Sequence, residues 1–146
     1  MCPSFTRILL VEDFKPYRSH VIALLSKNPG LKVISEAGDG AEAVAQAQNL
    51  KPDIILMDIG LPTLNGLDAA RQIRGLAPSA RIIFLTQQTD VEFVREAFTA
   101  GAWGYVHKQN AACELLEAVA NVSRGERFVS AGLGKEGIKA AEKLHA

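Results

Sequence analysis

Five polar side chains stand directly behind short apolar runs. Glu12 and Asp13 follow "RILLV", Asp58 follows "DIILM", Thr86 follows "RIIFL" and Lys108 follows "GYVH". Three carboxylates gathered at one place repel one another and do not stay ionised together without a counter-charge. A hard divalent cation with oxygen ligands supplies that charge. Mg²⁺ suits a site only partly built of protein, because it keeps waters, and Mn²⁺ accepts the same donors. Lys108 adds an ammonium and Thr86 a hydroxyl donor. A carboxylate, a metal, an ammonium and a hydroxyl around one spot form a site for a phosphoryl group, with Asp58 the candidate nucleophile that becomes an aspartyl phosphate.

The elements that must position these residues are legible as alternating periods. Arg7–Val11, Leu31–Ala37, Asp53–Met57, Arg81–Leu85 and Gly104–His107 read as strands, several being unbroken Ile/Leu/Val runs that suit a parallel sheet buried on both faces. Between and after them, 17–26, 41–49, 66–74, 91–100 and 112–122 carry apolar residues at steps of three and four and read as helices. Asp39, Asn65, Asp90 and Asn110 stand where N-caps belong, and Pro29-Gly30, Lys51-Pro52 and Pro78-Ser79 mark returns to the next strand. Five such β-then-α units, about 25 residues apart, give a doubly wound α/β fold. The expected strand order is 2-1-3-4-5, with all strand C-termini on one edge, where ligands bind. This (βα)5 unit is expected over residues 1–127, followed by a linker and a short, weakly amphipathic helix over 128–146.

The chain has 146 residues, enough for one domain with a full core, and its 48% apolar and 22% charged residues are those of a globular protein. Sixteen basic and sixteen acidic residues cancel, so no basic field draws the chain to nucleic acid. Cys2 and Cys113 share no short spacing with each other or with the histidines, which excludes a zinc knuckle and argues against a disulfide framework. The N-terminal apolar run Ile8–Val11 is too short for a signal-peptide core or a membrane span, and a cytoplasmic location without membrane contact is expected.

With "ILLVED", "IILMDIGLPTLNG", "IIFLT" and "GAWGYVHK" in this order, residues 6–125 resemble the receiver domain of two-component response regulators. The resemblance implies a flavodoxin-like receiver. It is no enzyme in the usual sense, but a phosphoacceptor that assists its own phosphorylation and dephosphorylation. Asp58 would accept a phosphoryl group from a sensor histidine kinase. Glu12, Asp13, Asp58 and the backbone carbonyl of Gly60 would hold Mg²⁺, and Lys108 would contact the phosphoryl oxygens. Thr86 would swing inward to bond the phosphate, with Tyr105 following as an aromatic rotamer switch. "GAWGYVHK" and "VSRGERFVS" further resemble the NarL/FixJ-like transcription factors, in which a LuxR-type DNA-binding domain follows the receiver. DNA contact would come through such an output domain, missing here. The tail's likeness to the interdomain linker favours a receiver cut from a longer regulator over a stand-alone one acting by protein–protein interaction. A homodimer would use the face of the fourth helix, fifth strand and fifth helix, or that of the first and fifth helices.

Three departures from the family pattern bear on function. Gln109 follows the lysine where the family commonly has proline in a cis peptide. A cis Lys108–Gln109 bond is nevertheless carried over as an expectation, against a cost of about 2.5–4 kcal/mol. Gln87 stands where a small residue is usual and is expected to modulate access to Asp58. Gly60 offers no side chain to position a hydrolytic water, which suits a long-lived phosphorylated state. Among competing readings, a Mg²⁺-dependent phosphoaspartate phosphatase needs a second acid two residues past its nucleophile, and Gly60 stands there. A nucleotide-binding domain needs more than "GDG" at Gly38–Gly40. A receiver-like module that is never phosphorylated has no need of Asp58 and Lys108 together.

Overall fold

The computed structural model describes residues 5–133. Six parallel strands form one sheet in the order β2-β1-β3-β4-β5-β6. They are β1 (Thr6–Val11), β2 (Leu31–Ala37), β3 (Ile54–Met57), β4 (Arg81–Thr86), β5 (Gly104–His107) and β6 (Phe128–Val129). The helices are α1 (Lys15–Leu25), α2 (Gly40–Leu50), α3 (Gly66–Leu76), α4 (Val91–Thr99) and α5 (Ala111–Ser123), with a 3-10 turn at Lys108–Asn110. The first five strands take the expected order. β6, which the sequence pattern does not announce, extends the sheet beside β5.

Strand alternation sorts the core into two layers. Leu9, Val11, Ile55, Met57, Phe84 and Tyr105 face one cluster with residues of α2, α3 and α4. Ile8, Leu10, Ile54, Leu56, Ile83, Leu85 and Val106 face the other, with residues of α1 and α5. Because successive side chains of a strand point to opposite faces, continuous apolar runs are required to serve both layers. β2 lies at the sheet edge and is only partly buried along most of its length.

Two of the four expected caps close hydrogen bonds. Asp39 accepts from the Glu42 N–H at 2.8 Å and Asn65 from the Asp68 N–H at 2.9 Å. Asp90 and Asn110 occupy the N-cap positions of α4 and α5 without a side-chain cap bond. Among the described residues no peptide bond is cis. The expectation of a cis Lys108–Gln109 bond is therefore corrected: the chain leaves β5 in trans and enters the 3-10 turn directly. Cys113 is an exposed free thiol, and Cys2 lies outside the described residues, as does the expected C-terminal helix beyond Leu133. Among the described residues no helix is long and apolar enough to cross a membrane.

Candidate functional site

Parallel pairing sets the depth at which each polar residue leaves the sheet. Val11 is in register with Met57, Met57 with Phe84, and Thr86 with His107. Glu12, Asp58, Thr86 and Lys108 therefore emerge on one edge. Oxygen atoms of Glu12, Asp13 and Asp58 lie within 4.8 Å of one another. The Lys108 ammonium donates to Glu12 Oε1 and, at 2.9 Å, to Asp58 Oδ2. One cation thus joins two acids that come from β1 and β3.

The loop after β3 is held by close backbone contacts. The Gly66 N–H donates to Ile59 O at 2.7 Å, and the Leu64 N–H to Pro62 O at 2.7 Å. A Cβ on Gly66 would stand 2.1 Å from Asp58 O, and one on Gly40 would stand 1.8 Å from Leu64 O. Glycine at these two positions lets α2 and α3 approach the loop that carries Asp58. Gly60 is different, with open space where its Cβ would be. Its N–H faces Asp58 Oδ1 at 3.4 Å.

Burial gives the site its electrostatic character. Glu12 is only 2% exposed, and its Oε2 is buried without a hydrogen-bond partner among the described residues. Burial pushes the Glu12 carboxyl above the usual carboxylate range, more strongly than Lys108 pulls it down. For Lys108, burial works to lower the pKa, but its hydrogen bonds to Glu12 and Asp58 and their charges together hold it raised. A buried acid with an orphaned oxygen, beside two further carboxylates, is a donor set that suits a hard divalent cation.

Thr86 is buried at the end of β4, and its hydroxyl accepts from the Gln88 N–H at 3.3 Å. It shares the edge with the acids but in this geometry bonds the β4–α4 loop. Tyr105 is fully buried, and its hydroxyl donates to the Gln88 carbonyl at 2.8 Å. Thr86 and Tyr105 therefore grip the same residue of that loop. Gln87, between them in the chain, is exposed. Tyr17 was not singled out by the sequence. Its ring lies 4.5 Å from the Lys108 ammonium, and its hydroxyl donates to Lys108 O at 3.3 Å. Ninety-one positions separate the two residues, so no local pattern could have paired them.

The chain matches the response regulator receiver domain family over residues 8–120. It is 38% identical over 120 residues to the transcriptional regulatory protein LiaR of Bacillus subtilis, covering 82% of this chain and 57% of LiaR. The crystal structure of a LuxR-family two-component response regulator from Aurantimonas sp. superposes with a TM-score of 0.86 at 35% identity, covering 98% of this chain and all of that one. The response regulator domain of Thermotoga maritima CheB superposes with a TM-score of 0.77 at 32% identity, covering 82% and 97%. The chain spans 57 to 66% of the length of the curated relatives it matches. The sheet order, the acidic edge and these similarities agree: the chain belongs to the response regulator receiver domain family, among relatives of the LuxR type.

Proposed function

We propose that this receiver takes a phosphoryl group onto Asp58 from a phosphohistidine of a sensor kinase and so changes the state of an output. The observation that carries the reading is the carboxylate cluster of Glu12, Asp13 and Asp58, bridged by Lys108. In the transfer, an Asp58 carboxylate oxygen forms the new P–O bond as the P–N bond to the donor imidazole breaks, and the released imidazole takes up a proton. Lys108 stays beside the acceptor and neutralises charge on the phosphoryl oxygens. The Asp58 side chain is 14% exposed against 3% for Glu12, so a donor can reach Asp58 while Glu12 stays behind.

Glu12, Asp13, Asp58 and the Gly60 carbonyl are the residues that would hold Mg²⁺, or Mn²⁺ in its place. A bound Mg²⁺ would offset the charge of the transferring phosphoryl group. The chain is not an enzyme in the usual sense, yet the same side chains assist both gain and loss of its own phosphoryl group. The phosphorylated aspartate brings roughly two negative charges. Thr86 would exchange its Gln88 bond for a phosphoryl oxygen, and the β4–α4 loop would carry Tyr105 with it. The surface of α4, β5 and α5 changes in consequence, and that surface or the α1–α5 face would serve a homodimer. The output is transcription in a cytoplasmic regulator, through a DNA-binding domain like those that the relatives' names imply. Residues 1–127 would be the phosphoacceptor unit and 128–146 its connection to the output.

Intact-mass spectrometry after incubation with acetyl phosphate and Mg²⁺ tests the assignment. One phosphoryl group is expected on the wild type and none on Asp58→Asn. Equal gain in both would move the acceptor elsewhere.

A further inference from the structure

The sixth strand adds little area, yet it is fastened at three successive levels of β5. The Phe128 N–H donates to Trp103 O at 3.0 Å and the Ser130 N–H to Tyr105 O at 2.9 Å. One level further, the Ser130 hydroxyl takes over from the backbone and accepts the His107 N–H at 2.8 Å. Ser130 is 2% exposed, an unusual burial for a serine. Its hydroxyl proton goes to Glu114 Oε1 on α5 at 2.5 Å, and Glu114 Oε2 accepts the Ala131 N–H at 2.9 Å. A carboxylate accepting from a hydroxyl and an amide makes two charge-assisted bonds. Glu114 thereby holds residues 130 and 131 against the end of β5.

The residues held are neighbours of those that would respond at Asp58. Val129 is in register with Tyr105, and Val129 and Leu133 pack against the layer that contains Tyr105. His107, whose amide Ser130 fixes, is bonded through the peptide to Lys108. On the other side of β5, Thr86 is in register with His107. Tyr105 meets the strap formed by Phe128–Ala131 directly, and Thr86 and Lys108 reach it through His107. The strap is the start of the chain that runs on past Leu133.

We propose that this strap, clamped by Glu114 and Ser130, is the device that passes the state of the Asp58 site into the chain beyond Leu133. The proposal rests on the reading of Asp58 as phosphoacceptor. A shift of Lys108 toward a phosphoryl group moves the His107 peptide and with it the Ser130 hydroxyl. A shift of the Tyr105 backbone acts on the Ser130 amide. Coupling of this kind is reciprocal, so loosening the clamp must alter the site as loading the site alters the clamp.

Amide hydrogen exchange of the full chain, with and without beryllofluoride and Mg²⁺, tests it in the wild type, Glu114→Gln and Ser130→Ala. Mass spectrometry with acetyl phosphate runs in parallel to establish that Asp58 is loaded. In the wild type, exchange at Ser130 and Ala131 is expected to differ by about tenfold between the free and loaded states. In both variants the difference shrinks below about twofold, while exchange in β1 and β3 stays as in the wild type, which shows that the fold is intact. Loading with unchanged exchange at Ser130 and Ala131 in the wild type overturns the coupling alone. Failure of Asp58 to load overturns the phosphoacceptor reading, and the coupling falls with it.

Discussion

The Lys108 ammonium sits 2.9 Å from Asp58 Oδ2 and also donates to Glu12, whose side chain is 3% exposed. Lys108 is therefore the counter-charge of a largely buried acid as well as a neighbour of the proposed phosphoacceptor. Removing Lys108 leaves Glu12 an uncompensated buried charge, which costs about 3–5 kcal/mol, whereas removing the charge of Asp58 leaves Lys108 paired with Glu12 and relieves repulsion among three clustered carboxylates. Lys108→Met is expected to lose about 3 kcal/mol of stability and Asp58→Asn less than about 1 kcal/mol, both read by urea unfolding. Mg²⁺ should restore part of the loss in Lys108→Met, since a ligand that binds only the folded state stabilises it. Equal losses in the two variants would mean that the lysine serves Asp58 rather than Glu12.

Tyr105 links stability to alkaline pH. Burial raises its phenol well above the ordinary value, and the charges of Asp58 and Asp90 add to that. The folded protein thus holds Tyr105 neutral at a pH where the unfolded chain ionises it. Its contribution to stability is complete below pH ~10 and is lost as pH rises beyond that toward the raised folded value. Tyr105→Phe is expected to flatten this alkaline loss. It also costs about 1 kcal/mol at neutral pH through the missing bond to Gln88. Unfolding midpoints from neutral to strongly alkaline pH, with tyrosinate absorbance followed in parallel, check both halves. An unchanged alkaline slope in Tyr105→Phe would show that another group governs it.

Most of the fold and of the acidic edge was legible because both rest on local chemistry repeated in register. Ile54–Met57 must be a strand buried on both faces, and the acid after it must then leave at the strand's C-terminal edge, as must Glu12, Thr86 and Lys108. What escaped were relationships set by packing at a distance. Tyr17 of α1 meets Lys108 across 91 positions of sequence, and nothing in "KPYRSH" signals it. β6 is two residues long, too short to show a period, and Ser130 looks like a loop serine until its hydroxyl is seen replacing a ladder bond. The cis bond expected at Lys108–Gln109 does not form, because Gln109 lacks the tertiary amide that lowers the cost of cis before proline.

The two glycines that follow Asp58 in "DIGLPTLNG" differ sharply in what they tolerate. A Cβ on Gly66 would meet the Asp58 carbonyl oxygen at 2.1 Å, and backbone cannot yield as a flexible side chain does, whereas a Cβ on Gly60 meets nothing within 4 Å. Gly66→Ala is expected to cost roughly 2 kcal/mol or more and to slow phosphoryl uptake, because the loop must shift Asp58 to make room. Gly60→Ala should stay within about 0.5 kcal/mol of the wild type. Thermal unfolding together with the rate of mass gain from acetyl phosphate measures both. A fully active Gly66→Ala protein would show that the loop moves without disturbing the acceptor.

Gln87 stands where its length can matter. It is exposed, directly follows the buried Thr86 and precedes Gln88, whose backbone is gripped by both the Thr86 hydroxyl and Tyr105. Because it directly follows Thr86, which emerges on the same sheet edge as Asp58, its side chain is expected to stand near the mouth of the Asp58 site. On the proposed reading of Asp58 as phosphoacceptor, a side chain of this size would hinder the in-line approach of water to the aspartyl phosphate, and Gly60 would supply no group to orient that water. Gln87→Ala is therefore expected to shorten the phosphoryl lifetime by about threefold, or roughly 0.7 kcal/mol of barrier. It should leave stability within about 0.5 kcal/mol, as for a surface position. Following loss of the phosphoryl group by mass after removal of acetyl phosphate gives the rate. If Gln87→Ala and the wild type lose it equally fast, access at this position does not limit hydrolysis.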